Sequence, residues 1–276
     1  MTSPVVAASP GTSTQCLGRL PAYAVLWSLI VVVAGCSGTM ESVSTNPLCG
    51  RLKGAVTSGR IRSAALGGSI RWDARSAPWS PKSGDPADRP LLILLQGARA
   101  DPSQWTDIGI DRAIKEVTVN RRGPSPVVVT PDVKAGTPLD AAQRFLAVEL
   151  IPLTRRCFGA TDDPAHRAVG GISAGGRIAL FVAAGHPDLF SVAGGHSPAV
   201  HTDEADALAR DLAQAQTRVQ LDAGSQDGFR PGTTALGTAL HRRGDDAQLR
   251  IPPGQHDRRY WRAQLPSYLA FYFERI

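Results

Sequence analysis

The chain has 276 residues, a 42% apolar share and a net charge of +6, which suits one α/β domain with a large core and an N-terminal extension. Its basic residues are scattered. No dense Lys/Arg run with interleaved aromatics is present, which argues against nucleic acid as a partner.

Residues 1–35 read as a targeting segment. Met1 to Gly18 has no charged side chain, and Arg19 is the only positive side chain before the apolar run Ala22–Ala34. That run is short for a bilayer span but suits the core of a signal peptide. It ends in Val33-Ala34-Gly35-Cys36, which resembles the bacterial lipobox, where a Cys after small residues is lipidated and becomes the mature N-terminus. A lipid on Cys36 holds the protein on the outer face of the cytoplasmic membrane. The other reading is an ordinary signal peptide, with secretion, or a signal anchor. Residues 36–48 are mostly small and polar and read as a flexible tether. With Cys16 in the leader and Cys36 as lipid site, Cys49 and Cys157 remain. In an oxidising compartment they pair in only one way; the alternative is two buried free thiols.

The domain is expected over residues 49–276. Ser69–Ala74 alternates as a strand. Residues 76–90, rich in Pro, Ser and Asp, read as a surface loop. The apolar runs Leu91–Leu95 and Pro126–Thr130 read as buried parallel strands. A helix is predicted over Trp105–Val119, with Trp105 in the core or the substrate cleft. Another spans Leu139–Arg156, interrupted near Pro152, with Glu149 structural. Arg167–Gly170 reads as a strand, Arg177–Gly185 as a helix and Leu189–Gly195 as a strand. His196 and His201 then fall on a loop, and are read as loop histidines rather than catalysts. Helices over Asp203–Gln216, Pro231–Arg243 and Arg258–Arg275 alternate with strands Arg218–Asp222 and Gln248–Ile251. This alternation predicts a mostly parallel central sheet with helices on both faces.

The chemistry centres on Gly171-Ile172-Ser173-Ala174-Gly175-Gly176. Gly-x-Ser-x-Gly between a strand and a helix is the nucleophile elbow, which holds a serine in a strained turn at a strand's C-terminal end. A Cβ at Gly171 or Gly175 would collide with the neighbouring strand or helix. The loop after the first buried strand, Gln96-Gly97-Ala98, is placed to give one backbone N–H to an oxyanion; Ala98 is the first choice and Gly97 the second. Ala174, following the nucleophile, gives the other. Asp227 lies in a loop after a strand, where an acid partner belongs, with Asp222 inside the strand as fallback. His256, after the last strand and before the last helix, is the best-placed base. The order Ser173, Asp227, His256 is that of the α/β-hydrolase fold. No Cys/His set has metal-ligand spacing, and no cofactor is implied.

From about Gly59 onward the chain resembles the esterase D family of α/β-hydrolases, which includes the bacterial mycolyltransferases. The matching pieces are Leu95-Gln96-Gly97, Glu149-Leu150-Ile151-Pro152, the segment Gly171–Gly176, His186-Pro187-Asp188-Leu189-Phe190 and His256–Leu265. The resemblance implies ester chemistry through an acyl-enzyme. Departures are Gln96 where many relatives carry His, Ala174 where many have Met, and Asp227 where the mycolyltransferases use Glu. The expectation is a lipid-anchored serine esterase acting on a small-molecule or lipid ester. The alternatives are a mycolyltransferase-like acyltransferase using a sugar or lipid acceptor, and a non-catalytic lipoprotein binding envelope components.

Overall fold

A computed structural model describes residues 49–53, 56–76, 88–119 and 123–276. The expected leader 1–35, the lipidation site Cys36 and the tether 36–48 lie outside the described residues.

Among the described residues, nine strands form one sheet in the order β1-β2-β3-β5-β4-β6-β7-β8-β9. Six are parallel: β5 (Val127–Pro131), β4 (Leu91–Leu95), β6 (Arg167–Ile172), β7 (Val192–His196), β8 (Arg218–Asp222) and β9 (Gln248–Arg250). Three antiparallel strands, β1 (Arg51–Lys53), β2 (Val56–Arg62) and β3 (Ser69–Arg75), extend the edge beside β5.

The pleat divides the core in two. Leu91, Ile93 and Leu95 of β4 face one apolar layer with Val127, Val129 and Val169. Leu92 and Leu94 face the other with Val128, Ala168 and Ile172. The first layer is closed by α3 (Leu139–Arg144), α4 (Ile151–Phe158), α5 (Ala174–Gly185), α6 (Ala205–Gln214) and α7 (Arg230–Arg242). The second is closed by α1 (Ser103–Asp107), α2 (Ile110–Thr118) and α8 (Arg258–Arg275). Strands buried on both faces explain the unbroken apolar runs.

The structure amends several expectations. The predicted helix over Trp105–Val119 is two helices, α1 and α2, broken at Gly109, whose φ of 95° no helix interior accepts. Trp105 is fully buried core. A π-helical turn over Phe145–Leu150 separates α3 from α4, so the break falls just before Pro152, whose ring cannot share the preceding turn of a regular helix. Glu149 is structural: its Oε1 accepts from the Ala64 and Ala65 amides, each at 3.0 Å. Cys49 and Cys157 form a disulfide, fastening the segment before β1 to the end of α4.

Candidate active site

Ser173 sits between β6 and α5 with φ 56° and ψ −118°, a region non-glycine residues enter only where their surroundings force it. The glycines around it allow that turn. A Cβ on Gly171 would stand 2.4 Å from the Gly175 carbonyl carbon, and one on Gly175 would stand 2.4 Å from the Leu95 oxygen and 2.5 Å from the Gln96 oxygen. No real side chain tolerates such contacts. The serine is therefore pressed against the end of β4, beside Gly97.

His256 lies in the loop between β9 and α8, and its Nε2 is 3.0 Å from Ser173 Oγ. Its Nδ1 is 2.9 Å from Asp227 Oδ2. Asp227, in the loop after β8, has a fully buried carboxyl, whereas the imidazole is 31% exposed. An ionised carboxylate only accepts, so the proton belongs on Nδ1 and Nε2 is left to accept from the serine hydroxyl. Burial pushes the Asp227 carboxyl up. Hydrogen bonds from His256, the Phe229 amide and Ser197 outweigh it, and the group ends below the usual carboxylate range. The three expected residues thus meet in one hydrogen-bonded chain.

Aromatic rings hold the imidazole. Trp261 stands edge-on to His256 with centroids 5.0 Å apart, and Phe229 packs at 5.2 Å. The Trp261 Nε1–H donates to Ser197 Oγ at 3.1 Å. Ser197 is fully buried and held at φ 50°. It links the loop after β7 to α8, and no motif in the sequence marked it.

Of the two oxyanion candidates in the first loop, the structure separates the choices. The Gly97 N–H is already donated to Gln104 Oε1 at 2.8 Å, so the second choice is set aside. Ala98 lies one residue on, exposed at the turn. Ala174 is the first residue of α5, where the backbone N–H has no partner within the helix. Gln96 turns away from the serine, its Nε2 donating to Asp132 Oδ1 and the Val133 carbonyl, each at 3.0 Å.

His196 and Asp222 differ from expectation. His196 is not on a loop: it ends β7 and is fully buried. Its Nδ1 is 2.8 Å from Asp222 Oδ1 and its Nε2 2.9 Å from the Tyr272 hydroxyl. Asp222 is the carboxylate of this second pair, so it is no substitute for Asp227. Its Oδ2 accepts from Tyr260 at 2.6 Å and from Tyr268 at 2.7 Å. Burial and then the Asp222 charge push all three tyrosine hydroxyls well above their ordinary value, so they remain donors. His201 is exposed and its ring meets Phe229 at 6.4 Å, one ring removed from His256.

Known proteins share this frame. A ferulic acid esterase superposes with a TM-score of 0.68 at 19% identity, covering 80% of this chain and 98% of its own. The S-formylglutathione hydrolase of Staphylococcus aureus gives 0.66 at 16%, covering 79% and 98%. The enterobactin esterase of Shigella flexneri gives 0.66 at 21%, covering 82% and 61%. These similarities carry the α/β-hydrolase fold. Among curated proteins, an uncharacterised protein of Corynebacterium glutamicum is 25% identical over 155 residues, which is 51% of this chain and 34% of that protein. The chain thus spans about a third of that relative's length. The sequence model of the Esterase family matches residues 80–272, well over half of the chain, and the chain belongs to that family.

Proposed function

We propose that the protein is a serine esterase that hydrolyses carboxylic esters through Ser173, His256 and Asp227. The observation that carries this reading is the continuous chain from Asp227 through His256 to Ser173, with contacts of 2.9 and 3.0 Å. In the proposed reaction, His256 Nε2 takes the hydroxyl proton as Ser173 Oγ attacks the ester carbonyl. The negative charge that develops on the carbonyl oxygen is met by the Ala174 and Ala98 N–H groups. Asp227 holds the imidazolium. His256 then protonates the leaving alcohol, and water attacks the acyl-enzyme by the same route in reverse. The esterase D branch is the finer placement we propose, on the ending that runs from His256 through Tyr260 and Trp261.

The proposed setting is the outer face of the cytoplasmic membrane, with a lipid on Cys36. The lipobox-like segment supports it, and so does the Cys49–Cys157 bridge, since such bridges persist in oxidising compartments. The full chain, extracted in detergent, is expected to turn over a short nitrophenyl ester and to react with a fluorophosphonate. Ser173→Ala should lower turnover by a factor on the order of thousands and abolish labelling. Equal near-background rates in both proteins would sink the reading. Turnover that requires a sugar or lipid acceptor would replace hydrolysis by acyl transfer.

A further inference from the structure

We propose that Asp222, acting through Tyr260, is the positioning element that sets the His256 loop against the Asp227 loop. The inference rests on the triad reading above. Asp222 ends β8, five residues before Asp227, and Tyr260 stands in the first turn of α8, four residues after His256. The 2.6 Å bond from the Tyr260 hydroxyl to Asp222 Oδ2 therefore ties together the two elements that carry acid and base. The Tyr260 ring also lies on the backbone of Gly254, where a Cβ would come within 2.3 Å of Tyr260 Cδ2. Gly254 in turn packs on Gly224, whose added Cβ would meet the Gly254 oxygen at 2.3 Å. Between the loops run backbone bonds from Ser225 to Pro252 at 2.8 Å and from Gln226 to Gly254 at 2.9 Å. The Asp222 carbonyl accepts from the Ser197 N–H at 2.7 Å, and Ser197 Oγ in turn accepts from Trp261 of α8 at 3.1 Å. One buried residue thus meets the helix behind the base directly through Tyr260 and again by way of Ser197 and Trp261.

Tyr268 supplies the built-in control. Its hydroxyl bonds the same Asp222 Oδ2 at 2.7 Å, but from two turns further along α8. Tyr260→Phe and Tyr268→Phe each remove one buried hydroxyl from one acceptor. If the network only stabilises the fold, the two variants behave alike. If it positions the triad, Tyr260→Phe lowers kcat about tenfold with KM within about twofold, as a small misplacement of reacting groups does, while Tyr268→Phe keeps kcat within about twofold.

The experiment uses the full chain in detergent and two readouts. One is nitrophenyl ester kinetics. The other is the low-field proton resonance of His256 Nδ1–H, assigned by its loss in His256→Gln. Tyr260→Phe is expected to shift or broaden this resonance and Tyr268→Phe to leave it in place. Equal losses of kcat in the two variants, or an unmoved His256 proton in Tyr260→Phe, overturns the proposal. Asp222→Asn, close to isosteric, takes over the proton test if Tyr260→Phe does not fold. A wild type without esterase turnover refutes the esterase reading alone, since the proton readout needs no substrate.

Discussion

Breaking the Cys49–Cys157 bridge is the perturbation whose size follows most directly from the structure. The bridge closes a loop with a sequence separation of 108 residues. The entropy that such a cross-link removes from the unfolded chain corresponds to about 5 kcal/mol at room temperature. For a domain of this size each kcal/mol moves the melting temperature by roughly 2–4 °C, so the loss is about 10–20 °C. The effect has a location as well as a size. Cys157 packs beside the core next to Phe158, which meets Trp72 edge-to-face at 5.8 Å. Beyond Trp72 stand β2, a half-exposed strand, and β1 at the edge of the sheet. The double variant Cys49→Ala/Cys157→Ala, compared with wild type by thermal melting and urea titration, should lose this stability and show a steeper urea dependence, because its unfolded state is more open. Hydrogen exchange should rise first in β1 and β2. A loss under about 1 kcal/mol, or a wild type whose melting is unmoved by reductant, would refute the reasoning.

Three further outcomes are expected. Gly175→Ala places a Cβ against the Leu95 and Gln96 oxygens, backbone atoms that cannot yield, so kcat should fall at least about a hundredfold; Gly136→Ala, where a Cβ meets nothing within 4 Å, should match wild type in the same assay. Gln104→Leu strands the buried Gly97 N–H, at a cost of about 1–3 kcal/mol by urea denaturation; an unchanged midpoint would mean that the loop rearranges freely. Asp227 is held below the usual carboxylate range, so its contribution to stability is complete above its unfolded pKa of about 4 and lost as pH falls through its folded value. The stability difference between wild type and Asp227→Asn should therefore shrink as pH falls below about 4; a difference that widens toward acid would reverse the sign assigned to Asp227.

The parallel centre of the sheet was legible because it is buried on both faces, which leaves apolar runs such as Leu91–Leu95. The antiparallel edge was legible only at β3. β2 reads Val-Thr-Ser-Gly-Arg-Ile-Arg and is half exposed, so neither run nor alternation marks it. Its Gly59 looks like a break, yet the Trp72 ring fills the place of its missing Cβ, which would stand 2.3 Å from that ring. The same limit governed the site. The positions of Ser173, Asp227 and His256 followed from punctuation by strand and helix ends. Ser197 and Gln104 act through single contacts across the fold, and no local pattern announces such contacts.

Among the described residues, two Asp–His pairs with buried carboxylates stand at the C-terminal ends of neighbouring strands, and they differ in their access to solvent. His196 is fully buried with both ring nitrogens engaged, one by Asp222 and one by Tyr272. Tyr272 reaches it over Gly170 and Gly194, where any Cβ would stand 1.8 Å from the hydroxyl. His256 has one nitrogen fixed by a buried carboxylate and the other turned to a serine hydroxyl, with part of its ring in solvent. In the proposed reaction that second nitrogen takes the serine proton and hands it on. The first pair, bonded by Tyr260, Tyr268 and Tyr272 of α8, suits the positioning role proposed for Asp222, and the second suits the reaction proposed for Ser173.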